Sequence, residues 1–229
     1  MNKRIIIAID GPAGAGKSTI ARRIADRLGF IYINTGAMYR ALGLWALRNG
    51  TDLTDMHRLE RLALEAKIEF ASGNGTVLLN DEDVTAFLYT PEVAHAASKV
   101  SAVPGVRRAL IPVQRNIAEN ASVVMEGRDI GSVIFPEAQV KIFLDAKPEE
   151  RVRRRAAELE DRGQPLDRDS VAAHLRERDV RDRTRQEAPL VQAPDAYLLD
   201  TTGLTLDEVE ERILQLVRSR TSNGKEVHR

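Results

Sequence analysis

Apolar residues fall along this chain in two rhythms. Five short runs are apolar almost throughout: RIIIAI (4–9), FIYIN (30–34), SVVMEG (122–127), VKIFLD (140–145) and AYLLD (196–200). A half-exposed strand would show a polar residue at every second place. Continuous runs of this length predict strands buried on both faces, the habit of parallel sheets. Between them the apolar spacing changes to that of helices. KSTIARRIADRLG sets Ile20, Ile24 and Leu28 on one face and stops at Gly29, a residue that ends helices well. In LTLDEVEERILQLVRSR, Thr205 followed three places on by Glu208 is a capping-box pattern. Strands alternating with helices predict an α/β, doubly wound parallel sheet.

Two segments break the alternation. KIEFASGNGTVLLNDEDVTAFLY (67–89) has short β-like runs divided by GNG and DED, both turn signals, and reads as a small antiparallel insertion. A helix follows it, with Thr90 as cap and Pro91 at its first position. Residues 148–187 are highly charged and dense in arginine, and read as two helices broken near Gly163 and Pro165. No internal repeat or low-complexity linker is evident.

Composition narrows the partners. The chain has 229 residues, enough for one core with small insertions. It carries 34 Lys and Arg against 34 Asp and Glu, so no global field draws nucleic acid or membrane, and any basic site must be a local cluster. The absence of cysteine removes disulfides and thiolate zinc sites and fits a reducing cytoplasm. The first ten residues are too short and interrupted for a signal peptide, and no apolar run approaches bilayer length. The tail TSNGKEVHR (221–229) is expected to fray. A cytoplasmic monomer is the expectation.

The stretch DGPAGAGKST holds a complete phosphate-loop pattern, Gly11-x4-Gly16-Lys17-Ser18. Glycines let successive backbone N–H groups turn inward around an anion. The helix that starts near Lys17 aims its positive end at the same point. Lys17 brings a full charge toward the outer phosphates, Ser18 can bind Mg²⁺, and Thr19 can contact a phosphate. Gly11, Pro12, Ala13, Gly14, Ala15, Gly16, Lys17, Ser18 and Thr19 are therefore expected to hold a nucleoside triphosphate.

The loop does not choose between a switch, a motor and a kinase. A GTPase needs a base-reading N/T-K-x-D after a later strand, and none follows. A motor would carry paired acids after an apolar strand, whereas FLDAK has Asp145 alone. Arginines spread over several segments instead suit an enzyme that holds a second anionic substrate, because arginine grips phosphate bidentately. Thr35 and Arg40 follow the second strand, and Arg128 and Asp129 the third, at the mouth of the sheet where ligands of such folds sit. A surface arginine on helix 36–48 and a structural Arg128–Asp129 salt bridge fit those positions equally well. In RERDVRDRTR (176–185), Arg178, Arg181 and Arg185 fall on one helical face, with Arg176 and Arg183 on another. A solvated charged helix is the plain alternative. An RNA-binding patch lacks interleaved stacking aromatics.

NTGAMYR (34–40), EGRDIGSVIFPEA (126–138), KIFLDA (141–146) and RERDVRDRTR (176–185), together with the phosphate loop, resemble the bacterial cytidylate (CMP/dCMP) kinase family over nearly the whole chain. One departure is Asn34, where the family more often carries Asp. The resemblance implies a P-loop NTPase-type five-stranded parallel sheet flanked by helices, a small antiparallel monophosphate-binding insertion and a helical lid. It divides the chain into a core (1–62, 105–147 and 188–220), the insertion (63–104), the lid (148–187) and the tail (221–229). It implies transfer of a phosphoryl group from ATP to CMP or dCMP with Mg²⁺. Carried over by position, Thr35 and Arg40 meet the acceptor phosphate or sugar; Arg128, Arg178 and Arg185 meet the reacting phosphates. Asp129 meets the nucleoside, Asp182 a sugar hydroxyl, and Ser98 and Arg107 the cytosine. Without the resemblance, Ser98 reads as a plain helix-surface serine. Lys17, Arg128, Arg178 and Arg185 are the expected catalytic set. Glu126 or Asp129 is a candidate to reach Mg²⁺ through water. One of Arg151 and Arg153 to Arg155, at the start of the lid, is expected to reach the triphosphate. His57, His95, His174 and His228 receive no role.

Overall fold

The computed structural model describes residues 4–70, 75–164 and 167–221. Most of the GNG turn, Pro165 and nearly all of the 221–229 tail lie outside the described residues. The chain runs β1 (Ile6–Asp10), α1 (Lys17–Leu28), β2 (Ile31–Asn34), α2 (Thr35–Arg48), α3 (Met56–Glu65), β3 (Ile68–Phe70), β4 (Val77–Leu79), β5 (Glu82–Asp83), α4 (Pro91–Val100), α5 (Pro104–Ile117), β6 (Val123–Gly127), β7 (Val140–Asp145), α6 (Pro148–Asp161), α7 (Arg168–Thr184), β8 (Tyr197–Asp200) and α8 (Leu206–Thr221). A π turn, Ile130–Ile134, follows β6.

All five apolar runs form strands of one parallel sheet, ordered β2-β6-β1-β7-β8. Successive side chains of a strand point to opposite faces. Ile7 and Ile9 accordingly pack with Ile20 and Ile24 of α1 and Ile213 and Val217 of α8. Ala8 faces the other way, with Ile33, Met125 and the π-turn residues Ile130 and Ile134. Burial on both faces holds for β1, β6 and β7 but not for the edges. Ile31 in β2 is 45% exposed, and Tyr197 and Leu198 in β8 are 44% and 52% exposed. The helical layers cover the middle of the sheet and stop short of its rims, so a continuous apolar run overstates burial there.

The insertion is antiparallel, ordered β3-β4-β5. Its second turn is centred on Asn80 and Asp81, both with positive φ, so it takes in only the first residue of DED; Glu82 and Asp83 are already strand. Ile68, Val77 and Leu79 share one core with α2, α3, α4 and α5. Helix starts follow cap chemistry. Asn34, Asp55, Thr90 and Asp167 each accept a backbone N–H in the first turn of their helix, and Thr205 and Glu208 satisfy each other reciprocally. The helix α2 starts at Thr35, one residue before the expected start. Helix α7 ends at Thr184, and Arg185 (φ −62°, ψ 145°) is extended. Arg185 therefore does not continue the helical face of Arg178 and Arg181. The chain turns back there, with Ala188 at φ +50°.

Candidate active site

The phosphate loop joins β1 to α1 across the carboxyl end of the sheet. Gly11 has φ +146°, and a Cβ there would lie 1.9 Å from the Leu144 carbonyl oxygen, so only glycine fits. Gly16 is left-handed and α1 begins at Lys17, which turns the helix's free N–H groups into the loop. Lys17 is 5% exposed, and its Nζ donates to the Pro12 carbonyl at 2.7 Å. Burial first, and Arg128 second, push its pKa well below the usual lysine value. An arriving anion opposes both effects by favouring the charged form. Ser18 and Thr19 are exposed beside it.

Helix α6 braces this loop from behind. Arg151 donates to the Ala13 and Ala146 carbonyls, both at 3.2 Å, and pairs with Asp179 of α7 at 2.7 Å. Arg154 donates to the Ala15 carbonyl at 3.3 Å and to Thr201. The sequence placed these arginines at the root of a moving lid with one reaching the triphosphate. The structure buries Arg151 against the Ala13 and Ala146 carbonyls, pairs Arg153 with Glu150 and Arg155 with Glu158, and sets Arg153, Arg154 and Arg155 along a cavity beside the loop.

Two cavities flank the loop. One, of about 490 Å³, is lined by Gly14 to Ile20, by Arg153, Arg154, Arg155 and Arg162 on the α6 side, and by the apolar Leu144, Leu204 and Val209. The other, of about 450 Å³, gathers Lys17, Ser18, Arg40, Glu126, Arg128 and Arg178. Arg40 lies 5.1 Å from the Tyr89 ring centroid, and Arg162 lies 4.2 Å from the same ring. Arg128 Nε donates to Asp182 Oδ2 at 2.8 Å, and Arg178 Nε stands 3.8 Å from that oxygen, buried without a hydrogen-bond partner. Burial, then Arg128, push Arg178 down to about 9, so it remains charged at neutral pH. Burial pushes the Asp182 carboxyl up, but Arg128 and Arg178 hold it below the usual range.

Behind this cavity lies a buried ionic layer. Arg107 Nη2 donates to one oxygen of Asp129, and Arg185 Nη2 donates to the other at 3.4 Å. Arg107, Asp129, Asp182 and Arg185 are all buried. Ser98 is buried too, and its Oγ accepts from Arg181 Nη1. It lines a smaller cavity of about 130 Å³ with His95, His174 and Arg178. Thr35 spends its hydroxyl on the Glu126 carbonyl at 2.7 Å. Asn34 caps α2 by accepting from Ala37 N–H, a task a neutral amide performs as well as a carboxylate.

The structure thus gathers Lys17, Arg40, Arg128 and Arg178 around one cavity, and Arg107, Asp129, Asp182 and Arg185 into a network at its floor. Ser98 and Arg107 do not line a common cavity. Sequence reasoning passed over Asp10, Tyr89 and Arg162. A lone acid closing an apolar strand was the available signal for Asp10; Tyr89 and Arg162 carried none, because only folding brings them together.

The family model for cytidylate kinase matches residues 7–219. The chain belongs to the cytidylate kinase family. A cytidylate kinase of Solibacter usitatus (strain Ellin6076) is 61% identical over 226 residues, covering 98% of this chain and 97% of the relative. One from Syntrophotalea carbinolica is 48% identical over 222 residues, covering 96% and 94%. A crystal structure of an uncharacterized protein from Eubacterium ventriosum ATCC 27560 shares the fold: TM-score 0.54, 15% identity, covering 95% of this chain and 99% of that one. Among the described residues, no helix of this family member is long and apolar enough to cross a membrane.

Proposed function

We propose that this chain transfers the terminal phosphoryl group of ATP to CMP or dCMP, giving ADP and CDP or dCDP. The observation that carries the reading is the convergence of Lys17, Arg40, Arg128 and Arg178 on a cavity that the phosphate loop also lines. A loose phosphoryl-transfer transition state spreads charge over the moving oxygens, so positioned cations supply most of the catalysis. The acceptor is already an oxyanion, and neither a general base nor a covalent intermediate is needed.

On this reading the triphosphate lies along Gly11 to Thr19, with its nucleoside against Leu144, Leu204 and Val209. The acceptor phosphate takes Arg40 and Arg128. Arg178, whose buried Nε has no partner, faces the reacting group together with Arg185. Asp182 receives the sugar, and Thr35 fixes the strand end beside it. Ser98, Arg107 and Asp129 read the base. Cytosine presents an amino donor where uracil presents an acceptor, so Asp129 welcomes one and repels the other.

The Ser18 hydroxyl and the Glu126 carboxylate open on the same cavity, an all-oxygen set that suits Mg²⁺. No group of three His, Asp or Glu side chains placed to hold a metal ion occurs among the described residues. Such an ion would neutralise charge between the outer phosphates. A cytoplasmic monomer acting on small molecules, with no nucleic-acid or membrane partner, completes the reading.

The test is a coupled ADP-release assay with CMP, dCMP, UMP, AMP and shikimate as acceptors. Turnover should be fastest with CMP or dCMP. Preference for shikimate or AMP, or ATP hydrolysis independent of any acceptor, refutes the reading.

A further inference from the structure

Phosphoryl transfer as described makes no use of Asp10, a carboxylate 6% exposed that ends β1 immediately before Gly11. Its two oxygens accept from the backbone N–H groups of Ile130 and Gly131, each at 2.8 Å. These N–H groups open the π turn, and the first N–H groups of a helical turn have no partner within it. The N-cap of that turn is Asp129. An aspartate at this position ordinarily folds its own carboxylate onto the second or third N–H of the turn, here Gly131 or Ser132. Asp129 makes no such bond. Its oxygens meet Arg107 and Arg185 instead. The cap is supplied by another strand, 120 residues away along the chain.

We infer that Asp10 is a positioning residue for the acceptor nucleoside: by capping the π turn from the donor side, it releases Asp129 to face Arg107, Arg185 and the incoming base. The inference rests on the acceptor-site reading of Asp129 given above. Burial pushes the Asp10 carboxyl up to about 6 despite its two N–H partners, with Asp129 and Lys17 the charged groups acting on it. An apolar side chain would fill the space without that cost, so the carboxylate serves through its bonds. Remove it, and Asp129 is the nearest carboxylate able to cap the turn. Its rotation strands two buried guanidinium groups and takes the base-reading oxygen away.

The test is a double-mutant cycle read by steady-state kinetics, using Asp10→Asn, Asp129→Asn and the pair. Asparagine keeps the size of Asp10, accepts one N–H and opposes the other with its own donors. Asp10→Asn should raise the KM for CMP by roughly tenfold or more while the KM for ATP changes by less than about threefold. In the Asp129→Asn background the same change should move the KM for CMP by less than about twofold. Equal rises for both substrates, or additive losses in the pair, overturn the inference. If Asp10→Asn does not accumulate as folded protein, Asp10→Ser, whose shorter hydroxyl leaves both N–H groups without the carboxylate, carries the same cycle. Amide exchange in the unmodified, nucleotide-free protein gives an independent reading. The Ile130 and Gly131 amide protons should exchange as slowly as those of β6, and fast exchange at either overturns the cap. That failure is distinct from failure of the acceptor reading, which shows as absent CMP turnover in the wild type.

Discussion

Arg151→Met tests whether α6 braces the phosphate loop or merely borders it. The Arg151 side chain is 8% exposed and its Asp179 partner 15%. Methionine keeps the apolar stem of the side chain and deletes its charged head. Asp179 then becomes a largely buried carboxylate without a counter-ion, and its Oδ1 already lacks a hydrogen-bond partner. Breaking a buried pair from one side costs about 3–5 kcal/mol. At about 2–4 °C per kcal/mol for a chain of this length, Tm should fall by roughly 6–20 °C. Deleting both charges, as Arg151→Met with Asp179→Leu, removes the stranded anion and should recover most of the loss. Urea unfolding followed by circular dichroism measures each variant. Kinetics add a second reading: the Ala13 carbonyl is no longer held, so the KM for ATP should rise more than the KM for CMP. A single variant within about 1 kcal/mol of the wild type, or a double variant no better than the single, refutes the bracing role.

Three further outcomes follow from the site. Lys17→Ala should lower kcat by roughly a hundredfold or more while the KM for CMP moves by less than about threefold, because its charge meets the donor phosphates; equal losses in both count against that role. Arg107→Met leaves Asp129 short of a buried partner and should weaken CMP binding at least about 30-fold, with the affinity for a non-hydrolysable ATP analogue unchanged, both read by calorimetry. In the free protein burial and Arg128 depress Lys17 and bring Arg178 to about 9, and a bound anion raises both, so binding the ATP analogue at pH 9 should take up protons; heats independent of the buffer's ionisation enthalpy contradict this.

What the sequence disclosed and what it withheld divide along the range of the forces involved. The phosphate loop was legible because its chemistry is local: glycines, a helix start and a lysine within eight residues serve one anion. The five strands were legible because burial between helices imposes a continuous apolar run. The rims were misread because exposure of Tyr197 and Leu198 depends on which helices lie overhead, not on the run itself. Arg151 and Arg155 are four apart on one helix, yet one holds a carbonyl behind the loop and the other faces the cleft. Helical periodicity groups residues into faces without naming what a face meets. Arg185 was placed on the helix because RTRQE contains no breaker; Ala188 takes the left-handed turn that glycine would have announced. The bond from Asp10 to Ile130 spans 120 residues, and no local pattern marks it.

The ligand-free geometry also says what a substrate must do. Cations outnumber acids in and behind the cavity: Lys17, Arg40, Arg107, Arg128, Arg178 and Arg185, with Arg22, Arg23, Arg155 and Arg162 along its wall, stand against Asp10, Asp26, Glu126, Asp129, Glu158 and Asp182. Burial and that surplus lower the pKa of Lys17, Arg40, Arg178 and Arg185 together. A phosphate dianion offsets part of that surplus on arrival. It also competes with Asp182 for Arg128 and Arg178, which frees that carboxylate for a sugar hydroxyl. The phosphate alone repairs only this half of the site. Asp129 lies against two arginines, and on the proposed reading it is satisfied by a base that brings an amino group. UMP supplies the dianion but sets a carbonyl oxygen against the carboxylate, a penalty of the size that discriminates between closely similar substrates. On the proposed reading, selectivity for cytosine therefore resides in the buried acid rather than in the arginines, and it depends on Asp10 holding the turn that aims it.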